Sequence, residues 1–253
     1  MQKIDISMTS SMASLSFGSP PRATEMSKVA GKNGNVKLGS KLAGGESRDL
    51  NVANLLAGAS EVYLISKDIR DYIVIPTISL ISDIPNTNGD SLSKRELLRF
   101  NPKRGTLTYE TWKGMPTFVE HDNKDHTKAK GIILDSYLTT LRGFKGNLVK
   151  NVRLLAFDRT KDPMLCEKLI RRELNTFSLG FTFNAYECSI CGHISYGQTF
   201  CGHTRPKQRT YRMSDGRLCY RRCMNATGFE ESVVADPAYV SNLSDILYDP
   251  RKI

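Results

Sequence analysis

The sequence is poor in long apolar runs, and none approaches the roughly 20 residues that a membrane-spanning helix needs. Residues 1–18 also lack the apolar centre of a secretory signal peptide. We therefore expect a soluble protein of a reducing compartment, with no membrane partner. In such a compartment, clustered cysteines indicate a metal site more than disulfide bonds.

Acidic residues are in the minority, because 26 Asp and Glu stand against 36 Lys and Arg, a formal net charge of +10. This excess favours an acidic partner: nucleic acid, an anionic surface or an acidic peptide. The basic segments have neither interleaved aromatic residues nor the pattern of a recognition helix. Nucleic-acid binding is therefore the alternative prediction rather than the first one.

Five of the six cysteines fall within residues 188–223. Cys188 and Cys191 form a C-x2-C pair, and Cys201 and His203 follow as C-x-H. Two thiolates this close in sequence can chelate one ion through a tight turn, and the second pair would complete a tetrahedral Cys3His set. Four protein ligands leave no open coordination position, so we predict a structural zinc ion.

Some assignments around these ligands stay open. His193 could substitute for His203, and Cys219 and Cys223 either add ligands or are simply buried. Cys166 lies on a predicted apolar helix and fits a core position. The surrounding basic residues form either a solvated loop or a surface for an acidic partner; they are Arg205, Lys207, Arg209, Arg212, Arg217, Arg221 and Arg222.

The chain divides by composition into a leader and a folded domain. Residues 1–50 are rich in Ser, Gly, Lys and Met and predict a flexible leader. Residues 51–253 predict the folded domain, with residues 185–225 as a basic, cysteine-bearing insertion. Strand patterns occur at residues 61–66, 72–76, 131–138 and 148–157, and a helix is predicted to begin with Asp162 as N-cap and Pro163 in the first position.

Residues 175–183 (NTFSLGFTF) predict a β-strand, because large apolar and small residues alternate with a period of two. The phenylalanines and Leu179 form the face expected to be buried. Ser178, Gly180 and Thr182 form the other face, which leaves room around one hydroxyl group. A nucleophile that attacks a polypeptide needs such room, so Ser178 is a candidate.

Several segments, in this order and spacing, resemble the tailed-phage prohead (head maturation) proteases, which are related in fold to the herpesvirus assemblin. Residues 112–122 (WKGMPTFVEHD) and 131–136 (GIILDS) resemble the histidine segment of that family. Residues 157–163 (FDRTKDP) and 177–181 (FSLGF) resemble its nucleophile segment, and residues 229–238 (FEESVVADPA) its closing strand. Some large-phage members also carry a C-x2-C … C-x-H insertion. The resemblance covers roughly residues 100–240.

The resemblance implies an α+β fold with a closed or partly closed β-barrel core surrounded by helices. It implies Ser178 as the nucleophile and His121 as its general base, with His126 a weaker candidate. For the third member the spacing favours Glu230. Glu231 and Asp158 remain alternatives, and Arg159 is a candidate for an assisting role.

The resemblance also implies a function: a serine endopeptidase that cleaves scaffold and capsid proteins inside an assembling phage head, in the host cytoplasm. It implies a homodimer and cleavage after Glu with a small residue two positions earlier, which a Lys or Arg in the pocket would favour. Self-cleavage is then expected after Glu46, Glu25 or both, in the leader. The rivals are a zinc-containing nucleic-acid-binding protein and an inactive scaffold or capsid component with this fold.

Overall fold

The computed structural model describes residues 35–38, 48–141, 148–197, 199–205 and 209–239. The described residues contain the α-helices α1 (Val52–Tyr63), α2 (Lys94–Leu97) and α3 (Pro163–Ile170). The strands are β1 (Asn35–Leu38), β2 (Arg48–Asn51), β3 (Tyr72–Ile81), β4 (Asp90–Ser91), β5 (Phe100–Asn101), β6 (Thr106–Leu107), β7 (Pro116–Val119), β8 (Gly131–Thr140), β9 (Val149–Asp158), β10 (Phe177–Thr182), β11 (Ala185–Cys188), β12 (Ile194–Tyr196), β13 (Tyr211–Arg212), β14 (Leu218–Cys219), β15 (Arg221–Met224) and β16 (Thr227–Val233).

The main sheet has six strands in the order β10-β16-β7-β8-β9-β3. All neighbours are antiparallel except β16 and β7, which are parallel. The sheet curls, and its two edge strands, β10 and β3, approach within 8 Å between Cα atoms. The fold class is therefore mixed α and β with mostly strands, built on a curled, half-barrel sheet.

Both faces of the long strands are buried, which explains their nearly continuous apolar sequences. On β3, Ile73 and Ile75 belong to a cluster with Trp112 and Phe177, whereas Tyr72 and Val74 alternate with them and join a second cluster. The second cluster includes buried residues of α1. Helix α1 thus covers one face of the sheet.

Two sequence expectations about local structure have different outcomes. Helix α3 begins as predicted, because the Asp162 side chain accepts a hydrogen bond from Leu165 N at 2.9 Å and Pro163 occupies the first position. The strand predicted over residues 61–66 is wrong, because α1 continues to Tyr63 and ends before Leu64, whose φ is 53°. The buried face of α1 determines its structure more than its β-branched end does.

A second, four-stranded sheet has the order β12-β11-β15-β4. Strands β11 to β15 all lie within residues 185–225, called the insertion below. Strand β4 comes from far earlier in the chain and pairs with β15 in parallel. The insertion is therefore attached to the domain through a short strand that precedes α2.

The predicted leader lies partly within the described residues. There β1 pairs with β2 in an antiparallel arrangement, with Asn35 opposite Asn51. The two predicted self-cleavage positions, Glu25 and Glu46, lie outside the described residues. Within the described part of the chain, no helix is long and apolar enough to cross a membrane.

Gly228→Ala should lower the free energy of unfolding by about 1–3 kcal/mol, the usual cost of overpacking a core. A Cβ at position 228 would lie 2.2 Å from Cδ2 of the fully buried Trp112. Urea unfolding would measure the change. Gly58→Ala is the matched control, since a Cβ there meets nothing within 4 Å. In helix α1 that change should be neutral or stabilising, by up to about 1 kcal/mol. Equal destabilisation by both substitutions would contradict this packing constraint.

Candidate active site and cysteine cluster

Three adjacent strands bring the predicted catalytic residues to one region. Strand β16 lies between β10 and β7, with Ser178 opposite Ser232 on one side and Phe118 opposite Ser232 on the other. Strand β7 ends at Val119, and His121 follows two residues later. Ser178 and His121 therefore stand on either side of the strand that carries Glu230.

The turn after β7 has an unusual backbone. Glu120 and His121 have φ values of 50° and 54°, the left-handed region that residues with a side chain seldom adopt. Hydrogen bonds hold this turn: Glu120 N donates to Val233 O at 2.9 Å, and Ala235 N donates to the Glu120 side chain at 2.7 Å. Such conformations cost roughly 1–3 kcal/mol each and persist where the surrounding structure enforces them.

His121 and Glu230 are in direct contact. His121 Nδ1 lies 2.7 Å from Glu230 Oε1, and the other carboxylate oxygen accepts a hydrogen bond from Ser232 Oγ at 2.6 Å. The Glu230 side chain is 1% exposed. Gly180 leaves the space for it, since a Cβ at that position would lie 2.3 Å from Glu230 Oε1. Gly180, two residues after Ser178 on the same face of β10, is thus required by the buried carboxylate.

This contact alters the titration of His121. Its hydrogen bond to Glu230 raises the pKa of His121 above the ordinary value, partial burial opposes this, and the charges of Glu230 and Glu120 add to the increase. The neutral ring then carries its proton on Nδ1, facing the carboxylate, which leaves Nε2 free to accept a proton.

The other acidic candidates have different partners. Glu231 is completely buried and forms an ion pair with Arg153 at 2.6 Å. Asp158 accepts hydrogen bonds from Ser66 N and Thr160 N and so shapes the end of β9. Of the three carboxylates that the sequence left open, Glu230 is the one that contacts His121 among the described residues.

The two weaker candidates are His126, as an alternative base, and Arg159, in an assisting role. Neither lines the cleft at Ser178 in the described part of the chain. The ring of His126 lies 6.3 Å from that of Tyr63, centroid to centroid. The backbone N–H of Arg159 bonds to Asp71 O.

A cleft of about 320 Å³ opens at Ser178 and His121. Its lining includes aromatic side chains, among them Phe181 and Phe229. It also includes three polar residues of one loop, Asn86, Asn88 and Asp90, called the polar wall below. Ser178 is 7% exposed, less than the alternating pattern predicts, because Gly180 and its neighbours are covered by Phe229 and Glu230.

The cleft also corrects one sequence expectation. Among the described residues, no Lys or Arg lines it, so a glutamate at the cleaved position would not find the basic partner that was expected there. Side-chain amides line the cleft in its place, those of Asn86 and Asn88 in the polar wall and that of Asn123. The sequence signal for this wall was the Asn-rich stretch of residues 85–90 (PNTNGD), which reads only as a turn.

The predicted metal ligands come together. One ligand atom each of Cys188, Cys191, Cys201 and His203 lies within 4.8 Å of the others; these residues are called the cysteine cluster below. The turn after Cys188 is tight, with Gly192 at φ 70° and its N–H donating to Cys188 O at 3.0 Å. Ile190 N donates to Cys188 Sγ at 3.4 Å, which suits a thiolate.

The cluster fits a tetrahedral metal ion. Zn–S bonds of about 2.3 Å place tetrahedral ligand atoms about 3.8 Å apart, which the cluster permits. His203 Nδ1 is buried and has no hydrogen-bond partner among the described residues, as a nitrogen that binds a metal would have none. The four residues could therefore hold one metal ion.

The remaining candidate ligands lie outside the cluster. Cys219 Sγ donates to His203 O at 3.3 Å, next to the cluster. Cys223 Sγ donates instead to Asp90 Oδ1 at 3.4 Å, and Cys166 is buried in the core. His193 is exposed, and its carbonyl accepts from Cys188 N.

The comparisons with known proteins add no relative. No family model, no curated protein and no solved structure matches the chain. Any functional assignment therefore depends on the site itself and on the resemblance of the motifs.

Removing the carboxylate of Glu230 should lower the pKa of His121. In wild type the imidazole should titrate above about 6.5, and Glu230→Gln should bring the midpoint down. NMR titration of the ring protons measures both values. Glu120→Gln is the control and should have a smaller effect, because Glu120 acts on the pKa of His121 only through its charge. The amide oxygen of Gln can still accept the hydrogen bond from Ala235 N. Equal shifts would contradict the contact.

The same coupling should affect stability in a defined pH range. Because the folded state raises the pKa of His121, its stabilising contribution is fully present below about pH 6.5. That contribution is lost as the pH rises through the raised folded-state value. Urea unfolding at several pH values should show this loss in wild type and a smaller loss in Glu230→Gln.

Proposed function

We propose that the protein is a serine endopeptidase with Ser178 as nucleophile, His121 as general base and Glu230 as the residue that orients His121. The observation that carries this proposal is the 2.7 Å contact between His121 and the buried Glu230, in the same cleft as Ser178. The left-handed backbone at His121 supports it, because strained residues cluster at functional sites.

The chemistry follows from these roles. His121 Nε2 accepts the proton of Ser178 Oγ as the oxygen attacks a peptide carbonyl, and the buried Glu230 stabilises the imidazolium that forms. The tetrahedral intermediate collapses to an acyl-enzyme when His121 gives that proton to the leaving amine. Water, deprotonated by His121, then hydrolyses the ester and restores Ser178.

The order of the motifs supports a more specific role. We propose that the substrates are scaffold and capsid proteins of an assembling phage head, cleaved inside that head by a homodimeric enzyme of the assemblin-like fold. Cleavage after Glu would then be recognised through the amides of the polar wall, since no Lys or Arg lines the cleft among the described residues.

The nucleic-acid alternative has less support. Three arginines of the insertion already form ion pairs with acidic neighbours: Arg217 with Asp215, Arg221 with Asp90 and Arg222 with Glu187. Phosphate groups would have to compete with these carboxylates. The formal charge of +10 therefore overstates the positive surface that the insertion offers.

A fluorophosphonate probe tests the nucleophile without a known substrate. In wild type, Ser178 Oγ should displace fluoride from the probe and form a bond to its phosphorus. Mass spectrometry of the intact chain and its peptides detects the added phosphonyl group. Ser178→Ala should remain unlabelled. Ser195→Ala is the control: Ser195 is buried on β12, and its hydroxyl has no partner among the described residues. Labelling of Ser178→Ala to the wild-type extent would refute the assignment.

Self-processing belongs to the same proposal. The leader of wild type should be cleaved after Glu25, Glu46 or both, and Ser178→Ala should keep its N-terminus intact. N-terminal sequencing of both proteins distinguishes these outcomes. A labelled, active wild type that retains residues 1–46 would contradict self-processing while leaving the nucleophile assignment in place.

We also propose that the cysteine cluster binds a structural zinc ion. Elemental analysis should find about one zinc per chain in wild type, the stoichiometry of a single Cys3His site. Cys188→Ser should lose the metal and melt at a lower temperature. Cys223→Ala is the matched control, because Cys223 is a buried thiol of the same insertion whose hydrogen bond goes to Asp90. Equal metal loss in both variants would contradict the ligand set.

A further inference from the structure

The polar wall of the cleft is attached to the insertion. Strand β4, which begins at the wall residue Asp90, pairs with β15, and Arg221 lies opposite Asp90 in that pairing. Arg221 N donates to Gly89 O at 2.7 Å. Its guanidinium donates to Asn88 O at 3.0 Å and lies 2.8 Å from Asp90 Oδ1. One arginine thus contacts three consecutive residues of the loop that forms this side of the cleft.

The same arginine lies directly opposite a ligand of the cysteine cluster. Strands β11 and β15 pair antiparallel, and Cys188 is the partner of Arg221 in their register. The guanidinium also lies 5.9 Å from the centre of the Tyr186 ring on β11. A continuous path of paired backbone therefore joins Cys188, Arg221 and Asp90.

The ion pair in this path is shielded from water. The side chains of Arg221 and Asp90 are 16% and 15% exposed. Burial raises the pKa of Asp90, and the charge of Arg221 opposes that increase. Losing either partner would leave the other charge partly buried and unpaired, which is costly. Arg221 therefore contributes directly to holding the wall in its position.

The wall has contacts both with the insertion and with the chain that follows β16. Asn86 N donates to Asp90 O, and Asn86 Oδ1 accepts from Asp90 N, so the loop is closed on itself. From the insertion, Thr210 Oγ1 donates to Asn86 O at 2.7 Å and Cys223 Sγ to Asp90 Oδ1 at 3.4 Å. After β16, Ala238 O accepts from Thr87 N and Oγ1, and the Tyr239 hydroxyl donates to Asp90 O at 3.4 Å. Together with the contacts of Arg221, the insertion supplies the larger share of these external contacts.

We propose that Arg221 is a positioning residue that couples the cysteine cluster to substrate binding, so that metal occupancy sets the geometry of the polar wall. This rests on the proposed function for its kinetic consequence, but its structural part does not. Metal binding fixes the end of β11 at Cys188, the β11–β15 pairing fixes Arg221, and Arg221 fixes Asn88 and Asp90. Without the metal, three adjacent thiol groups and a histidine no longer hold the end of β11.

Hydrogen–deuterium exchange tests the coupling without any activity. In wild type, a chelator that removes the metal should speed exchange in residues 85–91 by at least about fivefold, the lower end of typical coupling between sites. Exchange in β10 and β16 should stay slow. Arg221→Met should give the fast exchange with metal still bound. A wall that does not respond to metal removal would overturn the proposal.

Arg222→Met is the matched control for this experiment. Arg222 is the next residue on β15, but its side chain pairs with Glu187 and stacks near Tyr220, away from the wall. With metal bound, hydrogen–deuterium exchange of residues 85–91 in Arg222→Met should match wild type. Arg221→Lys, which keeps the charge, should restore part of the protection. Fast exchange in the Arg222 variant equal to that of Arg221→Met would count against the proposal.

Kinetics then test the consequence for binding. With a peptide substrate, Arg221→Met should raise KM by about fivefold or more and leave kcat nearly unchanged, because the wall contacts substrate but not the reacting atoms. Removing metal from Arg221→Met should add little further increase. A loss confined to kcat would contradict a positioning role.

The two experiments separate failure of the inference from failure of the proposed function. If exchange couples metal to the wall but no peptide or probe reacts, the coupling stands and the protease assignment falls. Ser178 could instead be labelled and peptides cleaved, while exchange in residues 85–91 changes neither on metal removal nor in Arg221→Met. The protease assignment then stands, and the proposed coupling between metal and wall is refuted.

Discussion

Two consecutive buried carboxylates on β16 determine most of the architecture around the site. In a strand, neighbouring side chains point to opposite faces, so Glu230 and Glu231 need partners on opposite sides of the sheet. Glu230 has His121 and Ser232, and Glu231 has Arg153. A slip of one residue would exchange the two faces and leave both charges unpaired, so the register of β16 is strongly specified.

The neighbours of β16 show how closely the chain is adapted to this arrangement. Gly180 on the neighbouring strand β10 leaves room for the Glu230 carboxylate. Gly228 on β16 itself leaves room for Trp112. The indole N–H of Trp112 in turn donates to Gly180 O at 3.1 Å, which fixes the strand that carries Ser178. The left-handed turn at His121 then completes the site at the cost of local strain, and the hydrogen bonds of Glu120 hold that turn.

Features encoded by neighbouring residues could be predicted from the sequence. Strand β10 follows from its period of two, the start of α3 from Asp162 and Pro163, and the cysteine cluster from ligand spacing. Features that depend on distant pairing could not. No local pattern indicates that β15 pairs with β4, or that the polar wall lines the same cleft as Ser178.

The misses have the same physical cause. Residues 61–66 have β-forming composition, yet up to Tyr63 they belong to α1, because its face is buried against the sheet. The strand prediction used local propensity, and tertiary packing outweighed it. The Lys or Arg expected in the cleft is absent among the described residues for a related reason. The positive net charge favoured a Lys or Arg in the cleft. Arg221 instead pairs with Asp90 and does not line the cleft.

The composition of the insertion explains why a metal ion would be useful there. It is rich in arginine and polar residues, and several of its large apolar side chains, Ile194, Tyr196 and Phe200, are exposed rather than packed in a core. A segment of this size buries too little apolar surface to order itself, whereas a metal ion bound by four ligands supplies folding energy directly. The segment that supports the polar wall would then owe its order to the ion rather than to a core. Conditions that remove the ion would therefore loosen one side of the cleft while the curled sheet, with its two apolar clusters, remains folded.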